Sequence, residues 1–258
     1  MPFDINGNIL NNLHAKLYNS TSIIRNGLIC YLDAANAESY NGSGSTWYDL
    51  SGNGNNGTLT NGTTFGSNGI VFDGADDYVS VAETSGMTPS VLTLECVFEV
   101  LSDTNTVYAS GINTLQYIAF RQNTRTSQGA FEGYCVFYNE TNRSIDLYTT
   151  SSAGVQSITT TPINSMPLNT KIHTTCLLNT TQQSIYINGS LSAGPTNKAS
   201  GIDYNGTHTL KLGRAVGIDN NFDMAFNGRI YSFKLYNRVL TAAEINQNFN
   251  ATRGRYGI

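Results

Sequence analysis

A single stretch near the C-terminus, residues 226–245, limits the possible folds most strongly. Its first half alternates two sets of side chains with the period of a β-strand. The residues that we expect on the inward face are Tyr231, Phe233 and Leu235. Thr241 and Glu244 then have the N-cap and N3 spacing of a capping box, so a short helix should begin at Ala242.

The rest of the 258-residue chain repeats the strand pattern in about a dozen short segments. Hydrophobic residues make up 40% of the chain, which is enough for a core, whereas only 12% of it is charged. Asn, Gly and Thr are poor helix formers and fill the segments between strands. These features predict an all-β fold: a two-sheet antiparallel jelly-roll sandwich with one short C-terminal helix and an N-terminal arm.

Charge and cysteine usage exclude several classes of protein. The net charge of −4 argues against a nucleic-acid partner, because such proteins normally present a basic face. The chain contains no run of about 20 apolar residues, so no membrane span is predicted. The cysteines lie in apolar segments without zinc-site spacing, so we expect buried free thiols, although a disulfide remains an alternative. The four cysteines are Cys30, Cys96, Cys135 and Cys176.

Three motifs follow one another in the first third of the chain. They are G-L-x-x-Y-L-D-A from Gly27, W-x-D-L-S-G-N-x-N-x-G-T-L from Trp47, and V-F-D-G-x-D-D-Y-V from Val71. With the Tyr-Asn-Arg-x-Leu run that begins at Tyr236, this order resembles the laminin-G-like domains of the concanavalin A-like lectin/glucanase superfamily found in structural proteins of tailed bacteriophages. The resemblance implies a jelly-roll domain over residues 27–258.

Residues 1–26 differ from the rest and are expected to form an arm. Ile9, Leu13 and Leu17 have the i, i+4, i+8 spacing of a short amphipathic helix. This stripe either packs on its own domain or docks on a neighbour. We expect it to anchor the chain to other virion proteins, in a homo-oligomer for which a trimer is favoured.

The resemblance also implies a function. It indicates a non-enzymatic virion structural protein, such as a capsid decoration, head-fibre or tail component, that displays a lectin-like domain and binds host-surface glycans. The alternative is a carbohydrate-binding module without a virion role. The N-terminus lacks the basic and apolar regions of a secretory signal, so we expect synthesis in the host cytoplasm and a final location in the virion.

The predicted strand that contains Glu95 and Glu99 must be examined for hydrolase chemistry, because glucanases of this superfamily carry Glu-x-Asp-x-x-Glu on one strand. Here Val97 stands where the middle Asp would be, between Glu95 and Glu99. Four strand residues separate the two carboxylates by about 13 Å, whereas retaining hydrolases need about 5–5.5 Å. We therefore expect no enzyme activity, with both glutamates on a solvated outer sheet face.

A weak calcium site is suggested by oxygen-bearing residues at alternate positions around Gly54. These residues are Asp49, Ser51, Asn53 and Asn55. The twelfth position is Thr60 instead of the bidentate Glu of an EF-hand, so the site needs help from Asp73, Asp76 or Asp77. The alternative is a turn held by Asn and Gly chemistry.

A glycan platform requires an aromatic ring beside polar side chains. The candidates for this platform are Tyr40, Trp47 and Tyr48. In the resembling domains the Trp packs beneath the loop, so a role in the core remains open for Trp47.

Overall fold

The computed structural model describes residues 22–81, 84, 86–103, 115–121, 133–204, 209–216 and 223–258. Within them the chain forms two eight-stranded antiparallel sheets, a small two-stranded ribbon and one helix. The strands of the first sheet are β1 (Leu28–Asp33), β4 (Thr64–Gly66), β5 (Gly69–Asp73), β7 (Leu92–Val100), β12 (Lys171–Leu178), β13 (Gln182–Ile187), β14 (Ser190–Asn197) and β18 (Asn227–Tyr236). Their spatial order is β14-β13-β12-β7-β18-β5-β4, with β1 also paired to β18.

The second sheet lies across the core from the first. Its strands are β2 (Thr46–Trp47), β3 (Gly57–Thr60), β6 (Tyr78–Val81), β8 (Leu115–Arg121), β9 (Tyr134–Asn139), β10 (Ser144–Thr150), β11 (Gln156–Thr160) and β15 (Leu210–Leu212). They run in the order β11-β10-β9-β8-β15-β6-β3-β2. The ribbon pairs β16 (Arg214–Val216) with β17 (Asp223–Ala225). This arrangement confirms the predicted jelly-roll sandwich.

The main core fills the space between the two sheets. Strand β7 contributes Leu94, Cys96 and Phe98 from its inward face, and Trp47 packs in the same cluster without any exposed surface. All four cysteines are buried and free, as predicted. Burial raises the pKa of the Cys30 thiol well above its usual value, so the thiol stays neutral.

A β-bulge changes which residues of β18 face this core. Ile230 pairs with Phe98 of β7 but Ser232 pairs with Val97, so one residue of β18 is left without a partner. Ile230 therefore joins Phe233 in the core, together with Leu235, whereas Tyr231 lies in an outer cluster. The prediction was right for Phe233 and Leu235 and wrong for Tyr231, because strict alternation does not anticipate a bulge.

The C-terminal helix, α1 (Ala242–Tyr256), covers the outer face of the first sheet. The predicted capping box is present: Glu244 N donates to Thr241 Oγ1 over 3.3 Å, and Thr241 N donates to Glu244 Oε2 over 2.8 Å. The helix continues for 15 residues and ends at Gly257, whose φ of 71° suits a residue without Cβ. Its buried residues are Ile245, Asn248, Phe249, Thr252 and Tyr256.

The last part of the predicted arm packs beside this helix. Ile24 N donates to Asn248 Oδ1 over 2.7 Å, and Tyr236 Oη donates to Ile24 O over 3.0 Å. Ile23 and Ile24 contact the apolar cluster beneath α1. Ile9, Leu13 and Leu17 lie outside the described residues, and their anchoring role stays a prediction. In the described part of the chain, the only helix is too short and polar to cross a bilayer.

Candidate functional site

The two glutamates that were weighed for catalysis are buried under α1. Glu95 has no exposed surface; Lys234 Nζ lies 3.2 Å from its Oε2 and Asn248 Nδ2 donates to its Oε1 over 2.9 Å. His173 Nε2 lies 3.8 Å from the same Oε2. Burial alone would raise the pKa of Glu95, but Lys234, His173 and Asn248 together lower it to about 2.

Glu99, four residues along the same strand, is also engaged. Its Oε2 accepts hydrogen bonds from Arg229 Nη1 at 2.9 Å and from Tyr231 Oη at 2.8 Å. The expectation of a solvated outer sheet face was therefore wrong at both glutamates, since α1 and neighbouring side chains cover that face. Neither carboxylate lines the cavity that opens at the edge of this region.

That cavity is polar, and it lies beside the C-terminal end of α1. Its volume is about 350 Å³. It is lined by residues from the 22–25 segment, β1 and the loop after it, the loop after β2, and the last turns of α1. The side chains that give the cavity its chemical character are Arg25, Tyr31, Asn36, Glu38, Leu50 and Arg255.

The floor of the cavity is organised by the buried carboxylate of Asp33. Tyr31 Oη donates to Asp33 Oδ2 over 2.7 Å, Tyr256 Oη donates to Oδ1 over 2.9 Å, and Arg255 pairs with Oδ2. Burial and then the charge of Asp33 raise the pKa of Tyr31 well above its usual value. The Tyr31 hydroxyl therefore stays protonated at neutral pH and remains a hydrogen-bond donor to Asp33.

The rim carries hydrogen-bond donors and acceptors, and it includes both a positively and a negatively charged side chain. Arg25 Nη1 donates to Leu50 O over 2.9 Å, and its guanidinium carbon lies 5.7 Å from the centre of the Tyr31 ring. Asn36 Oδ1 accepts from Glu38 N at 3.0 Å, which leaves the Asn36 NH₂ group as a donor. With the exposed Glu38 carboxylate, the rim offers the mixed hydrogen-bonding groups that suit a polyhydroxylated ligand.

The predicted aromatic platform does not form as a unit. Trp47 is completely buried in the core and Tyr40 is 6% exposed, with its hydroxyl donating to Gly44 O over 2.9 Å. Only Tyr48, at 55% exposed, can stack on a ligand. Its backbone N donates to Ser39 O over 2.7 Å, but its side chain does not line the cavity. The burial of Trp47 agrees with the core role left open for it, and neither Trp47 nor Tyr40 has the exposed ring face that a glycan platform requires.

The loop suggested for calcium uses its oxygen atoms internally. Asp49 Oδ1 accepts from Tyr31 N at 2.8 Å and Ser51 N at 2.9 Å, and Oδ2 accepts from Ser51 Oγ at 2.7 Å and Asn55 N at 2.9 Å. Asn53 and Asn55 donate to β1 carbonyl groups. These contacts favour the alternative of a turn held by Asn and Asp side chains.

A second acidic group lies in the turn between β5 and β6. Asp73, Asp76 and Asp77 each place one carboxylate oxygen within 4.8 Å of the other two. Burial, and to a lesser degree the two neighbouring carboxylates, raise the pKa of Asp77 to about 6. The V-F-D-G-x-D-D-Y-V motif contains all three. From the sequence they were expected only to add ligands to the calcium site around Asp49.

Sequence reasoning did not find the cavity. Arg25, Asn36, Glu38 and Arg255 come from distant parts of the chain and belong to no motif with chemical spacing. Tyr31 and Leu50 do fall inside the first two motifs, but the motifs do not indicate that these residues line a cavity. Their convergence depends on how α1 and the 22–25 segment dock on the sheet.

Comparison with solved structures shows the same fold in proteins of very different sequence. A botulinum neurotoxin serotype D binding domain superposes with a TM-score of 0.63 at 14% identity, covering 90% of this chain and 53% of that one. The binding domain of Paraclostridial Mosquitocidal Protein 1 gives 0.61 at 17% identity, covering 88% and 52%. Trypanosoma rangeli sialidase gives 0.60 at 15% identity, covering 96% and 38%.

The chain thus spans about half, or less, of the length of these structures, and the likeness concerns the fold alone. A comparison with curated protein sequences gave no match. A family model of the concanavalin A-like lectin/glucanases superfamily, of laminin G type, matches residues 72–246. That range runs from the core strand β5 to the start of the covering helix α1. The chain therefore belongs to the laminin-G-like family of the concanavalin A-like lectin/glucanases superfamily.

Proposed function

We propose that this protein is a non-enzymatic, lectin-like binding protein that is displayed on a tailed bacteriophage particle and recognises carbohydrate. The observation that carries the binding role is the polar cavity beside α1, whose rim includes Arg25, Asn36 and Glu38. The alternative is a carbohydrate-binding module without a virion role.

Recognition of a sugar is supported by the chemistry of the cavity and its surroundings. Asn36 and Glu38 offer a donor and an acceptor at the rim, and the ring of Tyr31 is part of the cavity lining. Sugar-binding sites combine an aromatic face with a few polar groups of this kind. Two of the similar structures are binding domains, one of a botulinum neurotoxin and one of a mosquitocidal protein, which supports a binding role for the fold.

The absence of catalysis is supported by the state of the carboxylates. Glycoside hydrolysis requires two accessible carboxyl groups on opposite sides of the scissile bond. Glu95 and Glu99 are buried and paired, and Asp33 accepts from two tyrosines and contacts Arg255. The cavity lining contains a single carboxylate, that of the exposed Glu38, so a pair of catalytic carboxyl groups is not present there.

The virion context is supported by the three ordered motifs and by the four buried free thiols, which fit folding in a reducing cytoplasm. In this proposal residues 1–26 attach the chain to other virion proteins through Ile9, Leu13 and Leu17, and several copies associate, with a trimer favoured. A mass-spectrometric inventory of purified particles tests this part. Particles that lack the protein would contradict it.

Glycan binding is tested by screening the purified full chain on a glycan array and measuring the best ligand by calorimetry. We expect Asn36→Ala and Glu38→Ala to weaken binding by about tenfold or more, which corresponds to about 1.4 kcal/mol. Arg253→Ala is the control, because Arg253 is exposed on α1 but does not line the cavity. An array without any bound glycan, or equal binding by all variants, would contradict the proposal.

A further inference from the structure

We propose that the outer edge of β11 is an interface through which two copies of this chain pair as antiparallel strands. β11 is the last strand of the second sheet and, among the described strands, it pairs only with β10. Its residue Thr159 is buried, whereas Gln156, Ile158 and Thr160 are exposed. A strand at the edge of a sheet presents backbone N–H and C=O groups with which a further strand can pair.

The register of β11 shows which backbone groups point away from the sheet. Ser151 N donates to Val155 O over 2.9 Å, and Thr161 N donates to Ile145 O over 3.0 Å, at the two ends of the β10–β11 ladder. Between these ends, residues that bond to β10 alternate with residues whose N–H and C=O groups face outward. The described part of the chain supplies no partner for the outward groups. The residues that carry them are Gln156, Ile158 and Thr160.

Within the described residues, the other outer strands of the two main sheets are protected against such pairing. β2 and β4 are only two and three residues long. β14 contains Pro195, which has no N–H, and two register shifts interrupt its pairing with β13. The loop after β2 covers β1, since Leu50 N donates to Tyr31 O over 2.8 Å. Short strands, proline, bulges and covering loops are common ways to protect an edge, and β11 has none of them.

The side chains along this edge are apolar or uncharged. Val155, Ile158 and Ile163 are three of the six exposed large hydrophobic residues in the described part of the chain. Residues 147–170 contain no Asp, Glu, Lys or Arg. Charged side chains on an edge strand oppose pairing with another chain. The edge at β11 therefore offers apolar contacts without charge repulsion.

The outer apolar surface of the second sheet continues to this edge. Tyr117, Phe120 and Phe137 form a buried cluster on the sheet face that points away from the main core, and Tyr148 packs against it. Tyr148 lies opposite Ile158 in the β10–β11 ladder, at a position where the two side chains are close on the same face. A strand added at the edge would cover Ile158 and extend this apolar surface.

A second copy of the chain is the partner that these features favour. A two-fold axis at Ile158 places this residue opposite itself and Gln156 opposite Thr160, so the outward groups of both copies form about six hydrogen bonds. The same axis brings Val155 of one copy toward the end of the other strand, where Ile163 follows. In a symmetric pair the same surface patch faces itself, so an uncharged edge avoids repulsion between like charges.

The first test measures self-association of the full chain by analytical ultracentrifugation over a range of protein concentrations. We expect Ile158→Lys to weaken it by about tenfold or more, because two positive charges would face each other at the axis. Leu191→Lys is the matched control, since Leu191 is exposed to a similar degree but lies on β14. A parent chain that stays monomeric, or equal association of the parent and Ile158→Lys, would overturn the proposal.

The second test locates the interface with one introduced thiol, and it depends neither on residues 1–26 nor on glycan binding. The four native cysteines are buried, so Ile158→Cys gives the chain a single exposed cysteine. Cα atoms of a hydrogen-bonded antiparallel pair are about 5.5 Å apart, a distance that a disulfide can span. On mild oxidation we expect a disulfide-linked dimer of Ile158→Cys on a non-reducing gel and much less of one for the control Leu191→Cys. Equal cross-linking of the two variants, or none for Ile158→Cys, would overturn the proposal.

Discussion

The two faces of the first sheet are buried in opposite ways by the same strands. Toward the second sheet, β7 and β18 present apolar side chains such as Phe98 and Phe233. Toward α1, the same strands present Glu95 and Lys234, which are equally buried but charged. One face is an apolar core, whereas the other combines a buried ion pair with two smaller apolar clusters.

This difference separates what drives folding from what specifies docking. Burial of apolar surface is stabilising at about 25 cal/mol per Å², so the inner face supplies the main driving force. A buried ion pair often contributes little net stability, because desolvation of both charges offsets their attraction. The outer face instead gives α1 one defined position, since Asn248 of the helix donates to Glu95.

The largest expected effect comes from the inner face. We expect Phe233→Ala to cost about 3–5 kcal/mol of the roughly 5–15 kcal/mol that holds a domain together. Urea unfolding of the purified variant measures it, or insoluble expression reveals it. Leu191→Ala is the control, because Leu191 is 51% exposed. If both variants unfold at the same urea concentration as the parent, the inner face is not the driving core.

A slightly smaller effect is expected from breaking the outer face at one charge. Lys234→Met leaves the Glu95 carboxylate buried without its cation, and we expect a loss of about 3 kcal/mol. The double variant Glu95→Gln with Lys234→Met carries no buried charge at this pair, so it should regain much of the loss. Urea unfolding of the parent and both variants gives the comparison.

The pH dependence of unfolding in the parent and the double variant tests whether the Glu95–Lys234 pair acts in this way. The folded-state pKa of Glu95 is about 2, below the 4.5 of an unperturbed Glu. Its contribution to stability is therefore complete above about pH 4.5 and is lost as the pH falls toward 2. The double variant should lose less stability over this range than the parent. Identical pH profiles would show that the pair does not act in this way.

The smallest effects concern the edge of the outer face. Deleting residues 1–21 should leave the melting temperature unchanged, because the strands of both sheets begin at Leu28. Deleting residues 1–26 also removes Ile24, the partner of Asn248 and Tyr236, and should cost about 1–2 kcal/mol. Thermal unfolding compares the two. Equal melting temperatures would show that the 22–26 segment does not help to cover the outer face.

The shorter deletion also tests the predicted anchor. If Ile9, Leu13 and Leu17 attach the protein to a particle, the chain without residues 1–21 should fold but no longer join particles or self-associate. Undiminished incorporation would contradict the anchoring role.

Local patterns in the sequence were enough to predict most strands and the start of α1. The strand bounds Leu115–Arg121, Ser144–Thr150 and Lys171–Leu178 follow from alternating or continuous apolar residues. The helix start follows from Thr241 and Glu244, which lie three residues apart. Such patterns depend only on residues that are close in the chain, so they can be recognised without knowledge of the tertiary structure.

The candidate site could not be predicted in this way. Arg25, Asn36 and Arg255 meet at one cavity only after α1 has docked, and nothing in their spacing indicates it. Trp47 is an aromatic residue of the kind that forms a sugar platform, but its ring is completely buried in the core. Burial depends on what other parts of the chain cover a residue, and that information is not local.

By itself, the sequence determined the fold class, the capped helix, the buried thiols and the family, because each depends on periodicity, short spacing or ordered motifs. Only the tertiary structure decided that a bulge turns Tyr231 outward, that α1 buries Glu95 with Lys234, and that β11 lies at the edge of the second sheet. The physical reason is that strand register and the covering of a sheet face arise from contacts between residues far apart in the chain. From the sequence alone, a polar residue in a strand is therefore predicted to be exposed, and only the structure shows whether another element covers it.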